Sequence, residues 1–227
     1  MAPNIIVALD DMDMGHALGL AVKLKDIVWG FKLNDLLDQE GVIAIEKLAN
    51  YGSVMADDKS HDIPNTVTNK IRRFERAGAA LITIHASGGD EMIEAAVREV
   101  DRAKILAVTA LTSLSDDQIM RIYKRTRQEL YEDFSEMSHT AGVHGIVCGH
   151  DFLPKAPKVR HGDDEAFLTV VPGIRPGGKA VRGDDQKVMA TDLSKLACTH
   201  VVVGRPITQA LDPVKAATEI RTSLERG

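Results

Sequence analysis

Cysteine is scarce in this 227-residue chain, positive charge is not in excess, and no apolar run is long enough to span a bilayer. The two cysteines, Cys148 and Cys198, show no CxxC or Cys/His ligand spacing. Each lies in or beside an apolar stretch and is expected to be a buried free thiol. With 28 Lys and Arg against 33 Asp and Glu, the formal net charge is −5. That balance argues against nucleic-acid and membrane partners. An anionic substrate must then be caught by local positive charge, not by a global field. The chain runs from Met-Ala-Pro straight into Ile5-Ile6-Val7-Ala8-Leu9. It lacks the charged-then-apolar pattern of a signal peptide, so a reducing, cytoplasmic setting is expected. Internal repeats, low-complexity segments and linker composition are also missing, and one domain over residues 1–227 is expected.

What the chain has is a regular alternation. Hydrophobic residues make up 44% of it, enough for a sizeable core. Strand-like runs fall at Asn4–Leu9, Ile27–Leu33, Ser53–Asp57, Ala80–His85, Ile105–Leu111, Gly145–Cys148, Phe167–Val171 and His200–Gly204. Several are continuous Val/Ile/Leu/Ala runs, as in a parallel sheet covered on both faces. Helical spacing appears at Val67, Ile71 and Phe74, and at Val214, Ala217, Ile220 and Leu224 after a start at Asp212-Pro213. Asp116 to His139 reads as one or two helices, with Lys124-Arg125-Thr126-Arg127 as a solvated face. Eight strands, each followed by helix, predict a (β/α)8 TIM barrel, with a doubly wound open sheet as the alternative.

In such a barrel, chemistry sits where strands end, and here those ends are polar. They carry Asp10, Lys32, Asp57 with Lys59, His85, the Thr112-Ser113-Leu114-Ser115 segment, Gly173 to Gly178 and Gly204-Arg205. The densest is Met55 to Asn65, where Asp57, Lys59 and Asp62 fit Asp-x-Lys-x-x-Asp at a strand-to-helix junction. Residues two apart on a strand share a face, so Asp57 and Lys59 point the same way and Asp58 points toward the helices. A structural reading exists for each: Asp62 as a helix cap, and Lys32, Asp57 and Lys59 as a rim ion-pair network. Buried networks rarely improve on apolar packing, which favours function. His61 is expected to be exposed, and His85 fits either core or site wall.

The glycine-rich segments after strands seven and eight read as a phosphate cradle. Gly177, Gly178 and Gly204 let backbone N–H groups approach an anion, and Arg205 adds a planar charged fork. Gly/Pro turns with a surface arginine are the plainer alternative. Arg175 fits either a ligand contact or a pairing with loop acids such as Asp184.

Together these segments resemble the orotidine 5′-monophosphate decarboxylase family of pyrimidine biosynthesis. The resemblance rests on Ile6-Val7-Ala8-Leu9-Asp10, Phe31-Lys32, Asp57-x-Lys59-x-x-Asp62-Ile63-Pro64-Asn65-Thr66, Leu111-Thr112-Ser113, Pro172-Gly173-Ile174-Arg175-Pro176 and Val203-Gly204-Arg205-Pro206-Ile207. It implies a cofactor-free, metal-free decarboxylase acting on a small nucleotide, as a homodimer with shared active sites. By position, it implies that Asp10 and Lys32 hold ribose hydroxyls and that Lys59 protonates C6 beside Asp57. Asp62 and Thr66 would reach into the partner's site. Ser115, or Ser113 in another loop register, would meet the pyrimidine edge, and Arg205 with Gly177-Gly178 would hold phosphate. The chain departs from the family at Gly177, where many relatives carry glutamine, and at Asp58, where the residue is usually apolar.

Two other readings compete. Sister barrels with the same Asp-x-Lys-x-x-Asp element, 3-keto-gulonate 6-phosphate decarboxylase and hexulose-phosphate synthase, use magnesium held by a glutamate at the end of strand two. Lys32 stands there in this chain. A non-catalytic binder of phosphorylated ligands is the third reading, and the complete charged quartet speaks against it.

Overall fold

A computed structural model describes residues 2–162, 165–176 and 193–226. Eight parallel strands close on themselves in sequence order: β1 (Asn4–Ala8), β2 (Gly30–Leu33), β3 (Ser53–Ser60), β4 (Leu81–His85), β5 (Lys104–Val108), β6 (Gly145–Val147), β7 (Leu168–Val171) and β8 (His200–Val203). Closure is made where β8 pairs β1, with Ile5 beside Val201 and Val7 beside Val203. The fold is therefore the expected (β/α)8 barrel and not an open sheet. Each strand-like run holds one strand, with its ends revised: β2 begins at Gly30 and not at Ile27, β3 continues past Asp57 to Ser60, β5 stops at Val108, short of Leu111, and the other ends shift by at most one residue.

Alternation along the strands sorts two cores. Ile6, Ala8, Met55, Leu81, Leu106, Val108, Val147, Val170 and Val202 fill the barrel interior. Their neighbours in sequence, such as Val7, Ile82, Ala107 and Val201, face the helices. Gly30 meets the Ser53 backbone so closely that no Cβ would fit between β2 and β3.

The helices cover the outer core. α1 (Met14–Leu24) starts at Asp13, whose carboxylate accepts from the His16 amide at 2.8 Å. After α2 (Asp35–Glu40) and α3 (Val42–Leu48), α4 (Pro64–Arg76) buries Val67, Ile71 and Phe74, the expected stripe. α5 (Asp90–Arg98) follows β4. The region after β5 is two helices, α6 (Asp116–Tyr123) and α7 (Arg127–Thr140). Lys124-Arg125-Thr126-Arg127 is thus no continuous helix face. Lys124 is left-handed (φ 57°) and ends α6, and Thr126 begins a capping box with Glu129. The least regular stretch after β6 is a 3₁₀ helix over His150–Lys155 and an isolated bridge between Val159 and Ala166. A short α8 (Arg205–Thr208) follows β8, and α9 (Pro213–Glu225) buries Ala217, Ile220 and Leu224 while Val214 stays exposed. Among the described residues no helix is long and apolar enough to cross a membrane. Cys148 and Cys198 are free and buried, and burial pushes their thiols up to about 12 and about 11.

At the barrel floor, buried His200 lies edge-on to Trp29, the single tryptophan, at 4.8 Å. The Thr199 hydroxyl donates to the Thr169 carbonyl at 2.9 Å, so its oxygen is left to accept from His200 Nδ1–H at 2.9 Å. Asn4 Nδ2 faces Nε2 at 3.4 Å. These partners suit a neutral imidazole, and burial depresses its pKa to about 4 from 6.5. Between those values the unfolded chain binds a proton that the fold refuses. Stability therefore falls as pH drops from 6.5 toward 4, by on the order of 2–3 kcal/mol. Urea unfolding followed by Trp29 fluorescence at pH 7 and 4.5 is expected to show this loss, with a smaller loss in His200→Asn. Equal losses in the two proteins would contradict the assignment.

Candidate active site

The site is built on an irregularity at the top of β3. Ala56 lies opposite Ile82 of β4, yet Ser60 lies opposite Ile84, so four steps on β3 (56 to 60) match two on β4 (82 to 84). Within this bulge Lys59 is left-handed, with φ 50°. A lysine held there costs roughly 1–2 kcal/mol relative to extended backbone. Asp57 and Lys59 share a face, as expected, but a bulge places them and not plain alternation. Asp58 goes the other way and is not an isolated carboxylate. It pairs with Lys70 of α4 at 3.1 Å and accepts from the Ser60 hydroxyl.

Four charges alternate across the barrel mouth. Lys32 Nζ stands 2.9 Å from Asp10 Oδ1 and 3.3 Å from Asp57 Oδ2, and Lys59 Nζ stands 2.9 Å from the same Asp57 oxygen. The two central side chains are 11% and 9% exposed, for Lys32 and Asp57. Burial opposes the charge on Lys32, but the carboxylates of Asp57 and Asp10 outweigh it and raise its pKa. Burial likewise opposes ionised Asp57. Lys32 and Lys59, with hydrogen bonds from Lys59 and Thr83, outweigh it and hold the carboxyl below its ordinary range. Both groups are therefore charged across the neutral range.

These residues open onto a cleft of about 550 Å³, a size that suits a nucleotide. Asp10, Lys32, Asp57 and Lys59 form one wall, and Gly204, Arg205 and Arg175 lie on another part of the rim. Arg175 is buried, donates to the Ile174 carbonyl at 3.1 Å, and lines the cleft. Ser113 lines it too. Ser115 does not belong to that wall. Its side chain caps α6 by accepting from the Gln118 amide, so Ser113 replaces it as the serine facing the cleft. Asp62 and Thr66 lie at the start of α4, outside the cleft of their own chain. The exposed Asp62 carboxylate accepts from the Ile63 amide at 2.7 Å. Exposed His61 stacks on half-buried His85, centroids 5.6 Å apart, and neither lines the cleft. Burial, then His61 and Lys59, depress the His85 pKa. Gly177, Gly178 and Asp184 lie outside the described residues.

Two supporting residues escaped the sequence reading. Asn34 donates to the Asp57 carbonyl at 2.7 Å, and the buried Thr83 hydroxyl donates to Asp57 Oδ1 at 3.0 Å. A lone threonine in the apolar run Leu81-Ile82-Thr83-Ile84 was the available signal for the second.

A model of the orotidine 5′-phosphate decarboxylase / HUMPS family matches residues 3–220. The chain belongs to that family. It is 35% identical over 230 residues to orotidine 5′-phosphate decarboxylase of Idiomarina loihiensis, covering 98% of each chain. It is 37% identical to the enzyme of that name from Alkalilimnicola ehrlichii, covering 97% of this chain and 96% of the other. Among solved structures, the orotidine 5′-phosphate decarboxylase of Lactobacillus acidophilus superposes with a TM-score of 0.78 at 31% identity, over 99% of both chains. An uncharacterized conserved protein from Geobacillus kaustophilus superposes with a TM-score of 0.77 at 25% identity, covering 97% of this chain and 99% of the other.

The outward pairing of Asp58 makes a simple prediction. Lys70 is 44% exposed, so the pair is worth at most about 1 kcal/mol. Asp58→Asn should shift the urea midpoint only slightly and leave turnover close to that of the parent. A collapse of turnover without loss of stability would place Asp58 in the chemistry.

Proposed function

We propose that this family member decarboxylates orotidine 5′-phosphate to uridine 5′-phosphate as a cofactor-free cytoplasmic homodimer, with Lys59 as the proton donor. The carrying observation is the alternating array Asp10–Lys32–Asp57–Lys59 beside a cleft with arginines on its rim. The bond from C6 to the carboxylate carbon breaks, carbon dioxide leaves, and the electron pair stays on C6. A proton passes from the Lys59 ammonium to that carbon, and the amine is reprotonated from solvent. No ring carbonyl delocalises the pair simply, so the site must stabilise it electrostatically and protonate it at once. One unit-charge pair at about 4 Å and an effective dielectric near 20 is worth roughly 4 kcal/mol. That is a useful part of the roughly 8–23 kcal/mol by which enzymes lower barriers.

Asp57 serves twice in this reading. It holds the Lys59 ammonium at 2.9 Å, and it stands beside the departing carboxylate. Asp10 and Lys32 hold the ribose hydroxyls, Ser113 meets the pyrimidine edge, and Arg205 with Gly204 and the Gly177-Gly178 segment holds phosphate. Binding energy from the phosphate end can then be used for positioning. The metal-dependent alternative meets a physical obstacle: the Lys32 ammonium sits between the carboxylates of Asp10 and Asp57. A divalent cation there would face a fixed like charge. The buried, unbridged thiols of Cys148 and Cys198 suit a reducing compartment.

Shared sites are supported by what Lys59 lacks. Among the described residues its one ion-pair partner is Asp57, and a third of its side chain is exposed. Asp62 and Thr66 do not line their own cleft, and they flank Ile63, which is 66% exposed. In the dimer, Asp62 of a second copy completes the array around Lys59. Lys59→Ala is expected to nearly abolish loss of orotidylate absorbance while uridine 5′-phosphate still binds. Mixing inactive Lys59→Ala and Asp62→Ala chains should restore part of the activity. Near-normal turnover in Lys59→Ala would remove it as donor, and no recovery in verified heterodimers would show self-contained sites.

A further inference from the structure

We propose that Thr83 is a positioning residue for this reaction, its hydroxyl locking the Asp57 carboxylate and the Lys59 backbone into one geometry; the inference rests on the decarboxylase reading above. Thr83 is fully buried on β4 and does not line the cleft, so it acts only through its neighbours. A hydroxyl has one proton to give and lone pairs to receive. Thr83 Oγ1 accepts from the Lys59 amide at 3.0 Å and donates to Asp57 Oδ1 at 3.0 Å.

Each bond meets a need that the bulge creates. The slip in register between Ala56 and Ser60 takes the Lys59 amide out of the ladder with β4, and a buried N–H without a partner is costly. The threonine oxygen replaces the missing carbonyl and so supports the left-handed turn at Lys59. The second bond divides the labour of the carboxylate. Oδ1 faces the hydroxyl, which leaves Oδ2 for both ammonium groups, Lys59 at 2.9 Å and Lys32 at 3.3 Å. Asn34 holds the Asp57 carbonyl from β2's side. One hydroxyl thus fixes the backbone of the proton donor and the orientation of its counter-ion together.

Among the described residues, the charged groups paired with Asp57 are Lys32 from β2 and Lys59 from β3. Asp10, just past the end of β1, lies behind Lys32, and His85 of β4 lies near Lys59. Thr83 is a neutral donor to Asp57 and stabilises its ionised form.

The experiment compares the unsubstituted chain with Thr83→Val, which keeps the branched shape, and Thr83→Ser, which keeps the hydroxyl. Thr83→Val should lower kcat about 10- to 100-fold, the range for losing one hydrogen bond to a charged group. KM and uridine 5′-phosphate binding should change far less. The acid limb of kcat should move to higher pH, because ionised Asp57 has lost a donor. In the ligand-free protein, amide exchange at Lys59 should speed up. Thr83→Ser should recover most of kcat and the parental acid limb. Parental kcat and acid limb in a folded Thr83→Val, or a serine variant as impaired as the valine one, would overturn the role. Should Thr83→Val not fold, a serine variant with parental kcat and Lys59 exchange supports the hydroxyl, and an impaired one overturns it. No turnover by the unsubstituted chain would fell the decarboxylase reading instead, and Lys59 exchange would still test the lock.

Discussion

Holding one carboxylate between two ammonium groups inside a barrel mouth is the constraint on which the rest of the site depends. Asp57 is buried and ionised, a state that burial alone would forbid. Lys32 and Lys59 make it tolerable, and Asp57 makes them tolerable in turn. Removing any member leaves a buried charge that the others were placed to balance, which costs more than the pair gains. Such an array is a poor way to stabilise a fold. It is a good way to hold a proton beside a carbon that is about to become a carbanion.

The barrel supplies the rigid frame. Apolar layers fill its interior below the array, from Ile6 and Leu81 up to Ala8 and Val108, and exclude water from one side. The strands deliver their polar ends to one rim, and the bulge in β3 turns Asp57 and Lys59 inward while Asp58, between them, is tied to α4. The backbone strain at Lys59 is tolerated because Thr83 and the array over-determine its position. Sequence, bulge, charge geometry and proton delivery form one chain of causes.

Much of this was legible in the sequence. Several of the eight apolar runs are continuous Val/Ile/Leu/Ala segments of strand length, as a parallel sheet covered on both faces requires, and Asp-x-Lys-x-x-Asp stands out because charge is concentrated where a core would exclude it. The bulge was not legible, since a lysine in left-handed backbone carries no local signal of the kind glycine gives. Nor was the partner of Asp58, because Lys70 approaches through the packing of α4 on β3. Ser115-Asp116-Asp117-Gln118 has capping-box spacing, which already marked Ser115 as the cap of α6 and pointed to Ser113 as the serine facing the cleft. Thr126 and Glu129 carried the same signal for the break between α6 and α7.

The claim at the centre is that side-chain cations alone, arranged around Asp57, drive loss of carbon dioxide. It is tested most directly by following the ultraviolet absorbance of orotidine 5′-phosphate with the purified chain, with and without EDTA. Rapid conversion to uridine 5′-phosphate at the same rate in both is expected. Binding without conversion, or conversion that EDTA abolishes and magnesium restores, would contradict it.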